Sequence, residues 1–538
     1  MRAGDPLDHP GELALSGNDS EAPVGELRGL TPDAGWIVEP GENELEAAGD
    51  GRQREDILEM PDRTQRTEGK RKMSGTNQAE NTVPAGAPGA DPVRMRQATA
   101  VRIPEVEAEM GRVHERQGPL GTISRQLLIP CPRPNASSVI SCDYTGAAGL
   151  RRYERLMYQV FDDVYQDPEI RFSNDNGRTW TPWEADAAND IVQGVDLWWQ
   201  WNANGITAGT LDPESGLLVA AGMLRGYQGG DPRRVGLKTL HHFVFTATSA
   251  DDGNTWGPWK QLKYEPGPDY SEAVRETPEF LARNQCHYYF NIIAPRSGGL
   301  ILPVVSATQV ADEKGGPRSF ASPRCFLGKW NPSRNDYDWT ASGPVTVSPT
   351  LTGYLEEPWL AELAGGELLL DMRGTNRGAT GWGPETGAPG RHWRAVSRDG
   401  GRTWSKAEAW RYDTGETFFS PATMAKVLRH SRTGKLYWFG NISAGPTSGN
   451  SPRFPFYVGE IDESKPALKK STLTIIDDYD PARHSPEVQF SNFFVLENRQ
   501  TGQFEVYLSP YGQYGAASPK VYQANVYKYV IALTGGPS

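Results

Sequence analysis

Glu357 and Arg373 stand at the two ends of a segment that reads as a hairpin. Apolar Trp359-Leu360-Ala361 and Leu368-Leu369-Leu370 flank the turn-forming triplet Ala364-Gly365-Gly366. Two such runs about a glycine turn bring both ends back to one rim. A carboxylate placed there can move a proton to or from a reacting group. A guanidinium offers a planar fork that fits a carboxylate or a sulfate with two bonds. Further candidates are scattered along the chain. Arg453 precedes the strand-like run Phe454–Glu460, and Asp162, Asp163 and Asp167 crowd one short stretch. His241 and His242 precede Phe243–Thr248, and because they are adjacent only one of them can face inward from a strand. The same residue types also occur as ordinary solvated charges and core histidines, so their positions must decide.

The elements that would hold them are announced by a repeat. Ser173–Trp180, Ser249–Trp256 and Ser397–Trp404 all read Ser-x-Asp-x-Gly-x-Thr-Trp, five fixed positions in eight. Self-similarity of this kind marks a repeat architecture. Asp and Ser side chains can close a tight turn on nearby backbone N–H groups. Gly supplies the positive φ. Thr and Trp are expected to restart a strand, with Trp packing its large apolar face. Turn chemistry accounts for every fixed position, so the three Asp are read as structural and not catalytic.

The first two copies lie 76 residues apart and the next lies 148 further on, about double. A unit without a good copy is therefore expected near residue 325, where Arg324–Trp330 and Asp336–Trp339 look like a worn version. Phe454–Glu460 and Val521–Leu533 supply further strand-like runs. The count is about six units, which predicts an all-β, six-bladed β-propeller of four-stranded sheets. The 59 Gly and 42 Pro suit a turn-rich all-β chain. The 16 Trp and 21 Tyr suit blade packing first and carbohydrate contact second.

The first 72 residues differ in kind, with 17 acidic and nine basic residues against a net charge of −12 for all 538. Such a segment cannot bury enough surface to offset its chain entropy. Residues 1–95 are read as a disordered acidic extension and linker, and residues 96–538 as the propeller. Met73 could serve as the initiator, and neither Met1 nor Met73 opens a basic-then-apolar leader. No apolar run approaches the length of a membrane span. The remainder carries no basic stripe suited to nucleic acid. Cys131, Cys142, Cys286 and Cys325 form no Cys-x-x-Cys pair. No metal and no cofactor are expected. Cys131 and Cys142 could bridge in an oxidising compartment, but four free thiols fit better.

The octapeptide resembles the Asp-box of the sialidase superfamily of β-propellers, and the segment from Glu357 to Arg373 resembles another stretch of that family. The resemblance implies a sialidase-type propeller acting on a glycan. In that family three arginines hold a substrate carboxylate, a glutamate activates a tyrosine nucleophile, and an aspartate is the general acid and base. By the match, Glu357 is the activating glutamate and Arg373 one of the triad. Arg453 stands where a second arginine begins a strand. Arg102, in Arg102-Ile103-Pro104, is the candidate for the third, with Arg151, Arg152 and Arg155 competing. Asp163 is preferred as the general acid.

The chain also departs from the family. The run Val488-Gln489-Phe490-Ser491 puts Phe490 where the tyrosine should be, and phenylalanine cannot act as a nucleophile. Tyr507, Tyr511 and Tyr514 lie nearby in a different context. Arg102 lies 71 residues before Ser173, too far for the family pattern, and Glu105–Met110 beside it reads as helix. Two functions follow. One is an exo-acting glycoside hydrolase taking a terminal acidic or modified sugar. The other is a non-catalytic, glycan-binding propeller. An enzyme should gather at least two carboxylates and two arginines at one mouth.

Overall fold

The computed structural model describes residues 109–534, apart from 132–135, 162, 202–208, 288–290, 312–316, 349, 376–387, 448 and 514–523. The expected 1–95 extension, Arg102 and Tyr514 lie outside the described residues, as does most of the expected helix beside Arg102. Among the described residues the strands form six antiparallel sheets. Blade 1 runs in the order Ser137–Tyr144, Arg152–Phe161, Val164–Ser173 and Glu184–Ala185. Blade 2 spans Val192–Gln193 to Lys260–Gln261, around the long hairpin Leu218–Gln228 and Thr239–Ser249. Blade 3 is Cys286–His287, Leu300–Ala311, Pro317–Asn331 and Asp336–Ala341. Blade 4 is Glu356–Glu362, Leu368–Arg373, His392–Ser397 and Glu408–Ala409. Blade 5 begins at Lys426–Arg429 and ends with Ala467–Leu468, with Thr474–Asp477 added alongside.

Blade 6 closes the ring. Its inner strands Phe494–Glu497, Phe504–Leu508 and Val526–Leu533 come from one end of the fold, and Gly121–Ile129 and Val113–Gly118 from the other. Gly121–Ile129 pairs antiparallel with Val526–Leu533.

The hydrophobic core lies between blades, not within one. Val164 of blade 1 meets Tyr227 and Leu240 of blade 2. Val219 and Val244 meet Leu302 and Phe326 of blade 3. Ile301 and Cys325 meet Leu360 and Leu370 of blade 4. Trp359 and Leu369 meet Trp438 and Ile461 of blade 5. Phe439 and Val458 meet Phe504 and Val506 of blade 6. Leu496 and Tyr507 return to Ile140 and Leu156 of blade 1. Every neighbouring pair shares a cluster, so the six blades form a closed six-bladed β-propeller. Strands packed on both faces need near-continuous apolar runs, which is why Leu218–Gln228 is buried from Leu218 to Tyr227.

The three octapeptides fold alike. In each, Ser Oγ donates to an Asp Oδ1 at 2.8 Å and accepts the Gly N–H at 2.8–2.9 Å. The same Asp accepts both the Thr N–H and the Thr hydroxyl. Gly177, Gly253 and Gly401 sit at φ of 84, 81 and 85°. These bonds hold Asp175, Asp251 and Asp399 down at a pKa of about 2, the Thr donors being the main cause. Thr and Trp do not restart a strand as the sequence suggested, because the turn consumes them and the fourth strands begin at Glu184, Lys260 and Glu408. The worn copy resolves differently too. Arg324–Trp330 is the body of the third strand of blade 3, and a short turn joins it at Asn331 to Asp336.

Antiparallel order fixes which groups share a rim. First strands start, and second strands end, at one rim. The octapeptide turns join third to fourth strands and so lie at the opposite rim. No helix among the described residues is long and apolar enough to cross a membrane. The four cysteines are free thiols.

Candidate functional site

The expected hairpin forms. Glu356–Glu362 pairs antiparallel with Leu368–Arg373, and the tight turn at Leu363–Glu367 uses Gly366 at φ 95°. Both ends return to the mouth rim, and Arg373 Nη1 donates to Glu357 Oε1 at 2.8 Å. Arg373 Nη2 donates to the Tyr354 hydroxyl at 3.0 Å and lies 3.5 Å from Glu356 Oε2. The Tyr354 ring also faces the guanidinium, 5.4 Å from its centroid. The strand is irregular here, since the register slips between Glu356 and Trp359 and Glu357 takes φ 47°. Pro358 offers no N–H to the ladder, and proline inside a sheet belongs at such bulges.

Asp163 reaches the same rim from blade 1, in the tight turn between Phe161 and Val164, at φ 55°. Its carbonyl accepts from Arg225 Nη1 at 2.8 Å. Its carboxylate lies within electrostatic reach of Glu356. Arg225 is 5% exposed near the end of the second strand of blade 2 and pairs across the ladder with His242. The His242 ring lies 5.1 Å from that of His287, at the end of the first strand of blade 3. Burial holds the His287 pKa down at about 3, and the Arg225 and Arg373 guanidiniums add to this. His242 is held well below its usual value by burial first, then by Arg225 and His287. Both imidazoles are therefore neutral at neutral pH. Burial raises Glu356, and the Glu357 and Asp163 carboxylates add to that against Arg373.

Four blades thus contribute to one cluster: Asp163, Arg225 with His242, His287, and Glu356, Glu357, Arg373 with Tyr354. Of the residues singled out in the sequence, Asp163, His242, Glu357 and Arg373 come together. Arg453 stands at the same rim one blade on. Its Nη2 donates to Ala422 O at 2.7 Å and its Nη1 to Gln489 Oε1 at 3.1 Å. Beside it Ser443, Pro452, Phe454, Asp478 and Tyr479 line a cavity of about 410 Å³.

The competing arginines serve other ends. Arg152 pairs with Glu505 at 2.8 Å and donates to the Tyr507 hydroxyl at 2.7 Å, at the octapeptide rim. Arg151 binds Asn254 at 2.7 Å and Arg155 pairs with Asp186 at 2.6 Å. Asp167 is exposed, and Asp162 lies outside the described residues. Of the adjacent histidines, His241 contacts Gln228 at 3.1 Å while His242 joins the cluster.

Phe490 is fully buried in the core between blades 5 and 6, and its N–H donates to Arg453 O at 3.0 Å. The Tyr507 hydroxyl donates to Glu505 at 2.9 Å, and that of Tyr511 accepts from Asn492 at 3.2 Å.

Sequence reading missed Arg225, His287, Tyr354 and Glu356. Glu356 had a signal, because Glu-Glu-Pro at a strand start predicts a bulge that can re-aim a side chain. Arg225 and His287 had none, since nothing local marks two residues that meet across blades.

No protein-family model matches the sequence, and no curated protein matches it. Among solved structures, a sialidase from Streptococcus pneumoniae aligns at 12% identity over 74% of this chain and 69% of its own, with a TM-score of 0.46. An intramolecular trans-sialidase from Ruminococcus gnavus aligns at 11% identity over 74% and 95%, with a TM-score of 0.41. An α-L-arabinanase from Penicillium chrysogenum aligns at 11% identity over 79% and 100%, with a TM-score of 0.41. The chemistry of this chain must be read from its own residues.

Proposed function

We propose that the chain is an exo-acting glycoside hydrolase of the sialidase superfamily that removes a terminal acidic or modified sugar from a glycan. The observation that carries this reading is the gathering of three carboxylates, Asp163, Glu356 and Glu357, with two guanidiniums, Arg225 and Arg373, at one rim of the propeller. Carboxylates supply proton transfer. Guanidiniums supply a grip on an anionic or hydroxyl-rich sugar. In this reading Arg373 is the principal substrate contact, Glu357 and Asp163 are catalytic, and Arg453 at the neighbouring blade contacts a more distant part of the ligand. Arg102 keeps its proposed role as a further contact on the strength of the sequence resemblance alone. No metal or cofactor enters the scheme.

The core burial of Phe490 favours a second reading, a non-catalytic glycan-binding propeller, because position 490 offers a buried phenylalanine in place of the expected tyrosine. A hydrolysis screen over aryl glycosides, with sialosides and uronides included, separates the two. Turnover of any member supports the hydrolase. Saturable binding of a sugar without turnover supports the binder.

A further inference from the structure

Successive residues of a strand point to opposite faces, so Glu356 and Glu357 should diverge. The bulge at Glu357-Pro358 cancels that alternation. Glu356 pairs with Arg373 across the ladder, and the next pair is Trp359 with Asp371. Both glutamates therefore reach the same guanidinium, Glu357 at 2.8 Å on Nη1 and Glu356 at 3.5 Å on Nη2. Nη2 also donates to Tyr354 at 3.0 Å, which leaves Glu356 the weaker claim. When two carboxylates share a site, one keeps its proton. The charges that face Glu356 are Arg373 and Glu357 from its own blade and Asp163 from blade 1. From blade 3 His287, a neutral imidazole, lies within electrostatic reach of both Arg373 and Arg225 of blade 2. Burial, Glu357 and Asp163 all push the Glu356 carboxyl up. Its side chain is 20% exposed, open enough to meet a ligand, against 10% for Glu357.

We propose that Glu356 is the general acid of this site and Asp163 its general base, which reverses the role first assigned to Asp163. The assignment rests on the hydrolase reading above. Glu356 gives its carboxyl proton to the glycosidic oxygen as the C–O bond breaks, and the bonding pair leaves with that oxygen. Water adds to the anomeric carbon and yields its proton to the Asp163 carboxylate. Solvent then returns a proton to Glu356 and takes one from Asp163. Glu357 accepts the Arg373 Nη1 bond at 2.8 Å and acts through that guanidinium by holding it in place. Two carboxylates and a water complete a glycoside hydrolysis without a nucleophilic side chain. A phenylalanine at 490 is then no obstacle.

The test compares wild type, Glu356→Gln, Asp163→Asn and Glu357→Gln on aryl glycosides of the sugar found by the screen, with leaving groups from phenol to dinitrophenol. Glu356→Gln should lose about 10²–10⁴-fold in kcat/KM on the phenyl glycoside and little on the dinitrophenyl one, which needs no protonation. Its alkaline pH limb should vanish. Asp163→Asn should lose activity on both. The protonated-carboxyl infrared band of Glu356 should titrate away at lower pH in Glu357→Gln than in wild type, because one of the charges that raise it is gone, and should be missing in Glu356→Gln. Turnover with a Glu356→Gln loss independent of leaving group overturns this assignment alone, as does a difference spectrum of wild type and Glu356→Gln without a protonated-carboxyl band, the comparison that cancels other raised carboxyls such as Asp143. A wild type that cleaves no glycoside overturns the hydrolase reading and this step with it.

Discussion

The two rims of the propeller put the same functional group to opposite uses. At one rim Asp175, Asp251 and Asp399 accept hydrogen bonds from their own turns, and those bonds hold them at a pKa of about 2. At the other rim Glu356 meets burial and two neighbouring carboxylates, and its pKa rises. A carboxylate satisfied by local donors is fixed in one protonation state and serves the fold. One crowded by like charge is poised to exchange a proton. The repeated residue is structural because blades 1, 2 and 4 close the same turn with it. The cluster at the mouth occurs once because four blades contribute different residues to it.

The largest expected effect sharpens this contrast at the mouth. Arg373→Ala removes the cation shared by Glu356 and Glu357, and should cost about 2–5 kcal/mol in binding of an anionic sugar. Titration calorimetry with sialic and uronic acids reads this. Arg453→Ala in the same assay should cost less. An unchanged affinity for Arg373→Ala would remove the mouth from the account.

The next effect concerns Phe490. Phe490→Tyr places a hydroxyl in the core between blades 5 and 6, and burying it without a partner should cost about 1–3 kcal/mol of stability. Chemical denaturation measures this, and turnover should not rise. A gain in activity would show that this position does face the substrate.

A third effect comes from pH. His287 has a folded pKa near 3, below the unfolded value of about 6.5. The unfolded chain therefore binds a proton that the folded one refuses. The stability this group contributes is present above pH about 6.5 and is lost as pH falls toward 3. Glu356 has the opposite sign, because its folded pKa is raised. Its contribution is full below the unfolded value of about 4.3 and is lost as pH rises through the folded one. Melting temperature against pH should flatten on the acid side in His287→Asn and on the alkaline side in Glu356→Gln. Parallel curves for wild type and both variants would contradict the charge arrangement at the mouth.

The smallest effect on activity belongs to the opposite rim. Asp399→Ala deletes the acceptor for Thr403 and Ser397. It should lower the melting temperature and leave kcat/KM unchanged. A loss of turnover at constant stability would erase the distinction between the rims.

The sequence made the octapeptide turns and the Glu357–Arg373 hairpin legible because each is closed by bonds within one stretch of chain. Blade 3, which lacks the octapeptide, was placed by spacing, although its turn between Asn331 and Asp336 uses other residues. The cluster was only half legible. Arg225 and His287 reach it from separate blades, so no local pattern marks them. Glu356 sat beside a residue already singled out, and alternation pointed it away until the bulge turned it back. Arg152 and Arg155 had the right residue type, but antiparallel order and their pairing with Glu505 and Asp186 tie them into blade contacts.

The most direct measurement of the central claim is turnover of an aryl glycoside panel, sialosides included, by wild type and Glu357→Gln side by side. Wild type should cleave at least one terminal glycoside, and Glu357→Gln, which releases Arg373 from its 2.8 Å bond, should lose about 10²-fold in kcat/KM while keeping its fold by circular dichroism. A panel that wild type leaves intact, or a Glu357→Gln protein as active as wild type, would contradict it.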